Sequence, residues 1–162
     1  MQTFLPYPDF AESAAALDSK RLGKQRVEAL QVLRALTRPT YGWKRHPAVR
    51  MWAGCAEGVG AYGVAVCLEW ISRGGADTVA GTIGVDLAAA GLPSVPRTQH
   101  ELERAGALPG WIHDARVHAS HRAALVRKDP EHYRPLFPDA DPEMPYFWPG
   151  EPARPGEAPA VP

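Results

Sequence analysis

The chain has 162 residues, of which 45% are apolar and 22% are charged, as is typical of one globular domain with its own core. It contains no apolar run of about 18 residues that could cross a bilayer, and it does not begin like a secretory signal. Its two cysteines, Cys55 and Cys67, exclude a disulfide framework and a cysteine-ligated zinc site. We therefore expect a cytoplasmic protein.

The formal net charge is zero, but the charges are segregated along the chain. Residues 18–50 contain nine basic and two acidic residues, and residues 116–134 contain five basic and two acidic residues together with three histidines. Such segments can form a face that binds a polyanion even on a neutral protein, because the local field steers the ligand. The alternative interpretation is a solvated basic helix surface.

Glycine and proline divide the chain into segments with helical periodicity, and no segment shows the sustained alternation of a half-buried strand. We predict an all-α fold, a compact single-domain helical bundle. Asp9 and Glu12 form a capping-box pattern that predicts a short helix through residues 14–16. Asp18 is predicted to cap a longer helix that runs from Lys20 to about residue 36.

The middle of the chain predicts two further helices. Pro47 suits a first helical position and predicts a helix that ends near Ala53. Residues 57–73 are apolar around much of the helical cylinder and predict a central core helix that ends at Gly74-Gly75. The three glycines inside this helix lower its propensity unless they let another helix approach closely.

The C-terminal third predicts a helix near residues 99–104 and a longer one over residues 111–127, without boundaries for the rest of residues 76–110. The periodicity of the longer helix leaves three polar residues on its flank: His118, His121 and Arg122. Ten of the 17 prolines fall in residues 130–162, which predicts an irregular, proline-rich C-terminal tail. Aromatic residues up to Trp148 should cover the core. We therefore expect a domain over residues 1–149 and a disordered tail over residues 150–162.

The most informative local pattern lies on the first long helix. Lys24 and Glu28 are four residues apart and share one helical face, with Arg21 and Gln25 beside them. This spacing alone is typical of an exposed ion pair worth about 0.3–0.5 kcal/mol. However, Glu28 is one of only two acids in a strongly basic segment. A carboxylate that its neighbours keep ionised could stabilise a transient cation.

Other residues are candidates for contacting a nucleic acid. His46 follows two basic residues and could hydrogen-bond a phosphate, a displaced base or a turn backbone. His118 and His121 lack a third metal ligand, so we expect no metal and interpret them as part of a phosphate-contacting strip. Trp43, Trp52 and Trp111 could stack on bases or pack in the core, and we favour core packing for at least Trp52. The predicted nucleic-acid-binding residues are Lys20, Arg21, Gln25, Arg26, Lys44, Arg45, Arg50, His118, His121, Arg122 and Lys128.

Five segments carry a resemblance to a known family. They are the N-terminal Met-x-x-Phe, the helix of residues 18–28, the sequence Tyr-Gly-Trp-Lys-Arg-His-Pro at residues 41–47, the helix end Ser-Arg-Gly-Gly at residues 72–75, and residues 120–133. Their order, over about residues 1–137, resembles the pyrimidine-dimer DNA glycosylases of the phage endonuclease V type, and most closely a bacterial branch of them. The phage members are compact all-α enzymes that excise the 5′ base of a pyrimidine dimer and then cleave the DNA backbone. The resemblance thus implies base-excision repair of duplex DNA with a lesion, and no cofactor.

In the family, the N-terminal α-amine forms a Schiff base with the sugar and a glutamate on the first long helix assists. The resemblance implies these roles for the amine of Met1 and for Glu28, because Gln2 is too bulky for ordinary removal of Met1. Lys24 is the second candidate nucleophile, since an α-amine has a reference pKa of about 7.7–8.0 and lysine one of about 10.4. The candidate catalytic residues are Met1, Lys24, Glu28 and His46.

Two alternatives stay open at this point. The protein could be a non-catalytic nucleic-acid-binding protein in which Glu28 is only half of an ion pair. It could also be a glycosidase that acts on a different modified base or nucleoside. Both alternatives use the same basic segments, so the residue pattern does not separate them.

Overall fold

Side-chain caps set the starts of the N-terminal helices, as the sequence predicts. In the computed structural model, which describes residues 1–149, Asp9 caps the first helix and Asp18 caps the second through their carboxylates. The described residues form eight helices and no strand, which confirms the all-α prediction. The helices are α1 (Phe10–Ala16), α2 (Ser19–Thr37), α3 (Pro47–Arg50), α4 (Ala56–Ser72), α5 (Val79–Ala89), α6 (Gln99–Arg104), α7 (Ala115–Lys128) and α8 (Pro130–Tyr133).

The helix boundaries differ from the predictions in four places. Helix α3 ends at Arg50, three residues before the predicted end. Helix α7 begins at Ala115 rather than at residue 111, because Asp114 caps it through the Arg116 N–H. Helix α5 lies where no helix was predicted, and α8 occupies the start of the segment that was predicted to be irregular.

Helices α2, α4 and α5 meet at a glycine of α4. A Cβ added at Gly63 would lie 2.7 Å from Ile83 Cδ1 of α5 and 3.2 Å from Ala29 Cβ of α2. Neither distance leaves room for a methyl group without a shift of its neighbours. The predicted reason for the α4 glycines, a close approach of other helices, is therefore confirmed at this position.

The aromatic residues near position 148 pack against the hydrophobic core, as predicted. Tyr146, Phe147 and Trp148 are half-buried and contact buried core residues. The predicted disordered tail, residues 150–162, lies outside the described residues. Within the described part, no helix combines the length and apolar character that a bilayer crossing requires.

Candidate active site

The first residues of the chain lie in the interior of the molecule, and side chains from α2 and α7 hold them there. The Phe4 N–H donates to Gln25 Oε1 of α2 at 2.9 Å, and the Leu5 N–H donates to His121 Nδ1 of α7 at 2.9 Å. Chain termini usually fray. Here the backbone is fixed from both sides, so the N-terminal amine has a defined position.

Two buried aromatic side chains complete this support from the core. The Tyr62 hydroxyl lies within hydrogen-bond distance of both the Phe4 carbonyl oxygen, at 2.9 Å, and Gln25 Oε1, at 2.8 Å. The Trp52 Nε1–H donates to Thr3 Oγ1 at 2.8 Å. Trp52 thus packs in the core, one of the two roles considered for the tryptophans, and its indole nitrogen anchors the N-terminal segment.

Glu28 is the carboxylate that faces the N-terminal amine. Its Oε1 lies 4.0 Å from the amine nitrogen of Met1 and 3.3 Å from Lys24 Nζ. Its Oε2 accepts hydrogen bonds from Gln25 Nε2 at 2.7 Å and from the Gln2 N–H at 3.4 Å. Several donors around one carboxylate compensate for the loss of water.

The burial of Glu28 separates it from an ordinary surface ion pair. Its side chain is 9% exposed, whereas that of its partner Lys24 is 72% exposed. The spacing of Lys24 and Glu28 alone is typical of an exposed ion pair, but the carboxylate is not exposed. The N-terminal segment covers this part of α2 and buries Gln25 and Glu28, which helical periodicity alone cannot show.

The amine and Glu28 open into a cleft of about 360 Å³. Met1 is half-buried, but its side chain is only 4% exposed, so its accessible surface belongs to the main chain that carries the amine. The lining residues are Met1, Gln2, Phe4, Lys20, Arg21, Lys24, Gln25, Glu28, Lys128 and Tyr146. The structure thus brings together seven of the residues singled out from the sequence.

The cleft combines an excess of positive charge with one carboxylate. Lys20, Lys24 and Lys128 are exposed on its walls. Arg21 is less accessible, because its guanidinium pairs with Asp18 at 2.8 Å and also donates to the Lys128 carbonyl oxygen. Arg21 therefore joins α2 to the end of α7, and the three lysines present the charge that an approaching polyanion meets.

His46 lies close to the cleft without lining it. Burial lowers its pKa below the ordinary value, the positive charge of the N-terminal amine lowers it further, and Glu28 acts in the opposite direction. The ring nitrogen Nδ1 accepts the Ala48 N–H at 3.1 Å and caps α3. The charges of the amine and of Glu28 thus act on the pKa of His46. Its Nδ1 hydrogen-bonds the backbone, which is one of the roles considered for it from the sequence.

The two histidines of α7 are interior residues. The ring nitrogens of His118 lie 2.8 Å from the carbonyl oxygens of Leu5 and Ile112, and His121 Nδ1 holds the Leu5 N–H. Burial, followed by the charge of His118, lowers the pKa of His121 to about 3. The prediction that both histidines contact phosphates is therefore wrong, because they support the N-terminal segment from behind.

Two predicted DNA-binding arginines are also committed to internal contacts. Arg26 pairs with Asp77 and its guanidinium lies 4.4 Å from the ring centre of Trp70. Arg122 donates through Nε to the Pro6 carbonyl oxygen at 2.8 Å. Neither lines the cleft, and the DNA-binding role of both stays a prediction.

For three exposed basic residues, the predicted contact with DNA stays a prediction. Lys44 and Arg45 lie on the turn before His46, and Arg50 ends α3. None of them lines the cleft around Glu28. Residues 1–149 contain no cluster of three or more histidine, cysteine, aspartate or glutamate side chains that could hold a metal ion.

Sequence reasoning missed three residues of the cleft: Gln2, Phe4 and Tyr146. Burial raises the pKa of Tyr146 to about 12, with Arg127 lowering it and Glu28 raising it. Its ring contacts that of His121 edge to face, with 6.0 Å between centroids. The aromatic composition of the tail predicted burial, but only tertiary structure shows that Tyr146 reaches the cleft.

Comparison with known proteins shows which family the N-terminal half of the chain matches. Residues 1–80 match the family model described as pyrimidine dimer DNA glycosylase. These residues belong to the pyrimidine dimer DNA glycosylase family. Comparisons with curated proteins and with solved structures give no significant match. The glycosylase family supports DNA as the substrate class and DNA repair as the process.

The family match covers the catalytic candidates of the cleft but not all of its walls. The Met1 amine, Lys24, Glu28 and His46 lie within the glycosylase match. Lys128 and Tyr146, which also line the cleft, lie outside the match. The second half of the chain therefore completes the site that the matched half begins.

Proposed function

We propose that this protein is a DNA glycosylase with lyase activity that acts on pyrimidine dimers in duplex DNA, with the Met1 amine as its nucleophile. The observation that carries the proposal is the 4.0 Å separation between the amine nitrogen and the buried carboxylate of Glu28 at the base of a basic cleft. An α-amine loses its proton more readily than a lysine side chain.

The proposed reaction uses the two groups in sequence. The unprotonated amine attacks C1′ of the damaged nucleotide, the C1′–base bond breaks, and the base leaves with its bonding electrons. Glu28 stabilises the positive charge that develops on the sugar. The attacking nitrogen then loses a proton, the C1′–O4′ bond breaks as O4′ takes up a proton, and a protonated Schiff base results. Loss of a C2′ proton expels the 3′ phosphate, and water releases the amine.

The basic residues of the cleft walls would hold the DNA so that its sugar can approach the amine. Lys20, Lys24 and Lys128 would bind backbone phosphates and orient the duplex over the cleft. The duplex must bend, or a base must leave the stack at the lesion, for C1′ to reach the amine. Lys24 is assigned to phosphate binding and to the support of Glu28, since its Nζ lies 3.3 Å from Glu28 Oε1.

Single-turnover assays on three substrates test the function. The substrates are a duplex with one cyclobutane pyrimidine dimer, the undamaged duplex and an RNA of the same sequence. We expect strand cleavage only on the dimer duplex. Binding of all three without cleavage would instead support a non-catalytic nucleic-acid-binding protein, and cleavage confined to a different modified base would support another glycosidase.

A further inference from the structure

Trp43 is the one tryptophan of the five that points mostly into solvent, with 61% of its surface exposed. Among the described residues it is also the only one other than glycine with a positive φ, at 68°. A bulky side chain rarely adopts this left-handed conformation, because its Cβ crowds the backbone. The strained backbone and the exposed ring occur at the same residue, and neither contributes to burial of the core.

The ring nevertheless stands on a fixed support. The His46 N–H donates to the Trp43 carbonyl oxygen at 2.8 Å, and the two rings meet edge to face with centroids 5.8 Å apart. On its other side His46 meets Trp148 at 6.3 Å, and Trp148 contacts Tyr146 at 5.3 Å. A continuous row of rings therefore runs from Trp43 to Tyr146, which lines the cleft beside the Met1 amine.

The surroundings of Trp43 suit a nucleic acid rather than an apolar partner. Lys44 and Arg45 follow it directly and are both exposed. A flat aromatic ring next to two cations matches a base step with its flanking phosphates. By contrast, Leu68 is 60% exposed on α4 and lines a different, mainly apolar groove.

We infer that Trp43 enters the base stack at the lesion and occupies the space that opens there when the duplex bends or a base leaves the stack. The inference rests on the proposed function for the identity of the substrate. A ring inserted between bases replaces part of the lost stacking, and this lowers the cost of distorting the duplex.

The test compares Trp43→Ala and Trp43→Phe with the matched control Leu68→Ala, which removes an equally exposed apolar side chain elsewhere. On a fully paired dimer duplex, Trp43→Ala should slow single-turnover excision by about tenfold or more, and the phenylalanine variant should retain most of the rate. On a duplex with unpaired bases opposite the dimer, the loss should shrink below about threefold, because unstacking is already partly complete. The salt dependence of binding should not change, since no charge is removed.

A second readout does not depend on chemistry. 2-Aminopurine placed next to the dimer should become more fluorescent when the wild-type protein binds and should stay quenched with Trp43→Ala. Excision that is unaffected by Trp43→Ala, or slowed equally on both duplexes, would overturn the inference while leaving the proposed function intact. A wild-type protein that unstacks the reporter without excising a base would keep the role of Trp43 and refute the proposed reaction. A wild-type protein that does not bind the duplex would refute both.

Discussion

Helix α2 carries basic side chains on two faces, and the structure uses the two faces differently. On the cleft face, Lys20 and Lys24 are exposed and the single carboxylate, Glu28, is shared among several donors. On the side that contacts α5, arginines of α2 and of its C-cap pair with aspartates in or near α5: Arg26 with Asp77, and Arg34 and Arg38 with Asp86. One face is neutralised, and the other retains its positive charge.

The neutralised face fastens α5 to α2. Burial alone would raise the pKa of Asp77, but the hydrogen bonds from the Ala80 backbone and from Arg26 lower it overall. The same balance applies at Asp86, where burial raises the pKa but Arg34 and Arg38 outweigh it and lower the pKa overall. A basic segment in a sequence can therefore serve both packing and binding. The partners of each basic residue, rather than the number of basic residues, show whether it serves packing or binding.

The largest expected effect is on the cleft face. Glu28→Gln keeps the shape and the hydrogen-bonding capacity of the side chain but removes the charge that stabilises the developing sugar cation. Single-turnover excision should fall by at least about a hundredfold, while duplex affinity stays the same or rises. The measurement is a rate and a binding isotherm for the same variant. Retained excision would show that Glu28 serves stability only.

The next largest effect is expected on the side of α2 that contacts α5. Asp77→Ala leaves Arg26 without its partner and removes the acceptor for the Ala80 N–H, so the free energy of unfolding should fall by about 2 kcal/mol. Excision by the folded fraction should not change. Denaturant unfolding beside the activity assay measures both, with Asp77→Asn as the control that keeps the Ala80 acceptor. A loss of turnover without a loss of stability would break the distinction between the faces.

The third prediction concerns the residue that holds the N-terminal segment over Glu28. His121 has a pKa of about 3 in the folded protein, whereas an unfolded histidine has one of about 6.5. Below pH 6.5 the unfolded chain binds a proton that the folded protein excludes. The stabilisation is therefore complete above pH 6.5 and is lost as the pH falls.

By pH 5 this linkage should remove roughly 2 kcal/mol from the free energy of unfolding. His121→Asn keeps an acceptor for the Leu5 N–H but does not titrate, so its stability should depend less on pH. Denaturant unfolding of both proteins between pH 7.5 and 5 makes the comparison. Equal pH dependence in the two would contradict the role assigned to His121.

The smallest expected effect is on the salt dependence of duplex binding, which should differ between variants of the two faces. Replacing Lys20 and Lys128 with alanine should reduce the slope of log K against log salt for duplex binding by up to about 0.9 for each phosphate that the variant no longer neutralises. Arg38→Ala, on the neutralised face, should leave the slope unchanged. Equal changes in the two variants would mean that DNA does not distinguish the faces of α2.

Much of the helical framework follows from local sequence. Capping by Asp9 and Asp18 and the apolar periodicity of α2 and α4 locate these helices closely. The predicted start of α7 is too early, because Trp111 continues the apolar pattern through a turn in which its Nε1–H bonds the Met51 carbonyl oxygen. Helix α5 is not predicted because its packing against α4, at Ile83 and Gly63, depends on tertiary contacts.

Contacts of the candidate site between residues close in sequence could be predicted, whereas contacts between residues far apart in sequence could not. The pair Lys24 and Glu28 follows from helical spacing. The contact of Glu28 with the Met1 amine was suggested only by the family resemblance, since periodicity places Glu28 in solvent. The errors at His118 and His121 have the same origin, because the N-terminal segment that covers them has no periodicity to reveal it.

The central claim is that the Met1 amine is the nucleophile, and trapping the covalent intermediate tests it most directly. Borohydride added during the reaction with a dimer duplex should reduce the Schiff base to a stable protein–DNA adduct, which peptide mapping should place on Met1. Acetylation of the N-terminus should abolish the adduct without preventing duplex binding. An adduct on Lys24, or one that forms equally well with the acetylated protein, would contradict the account.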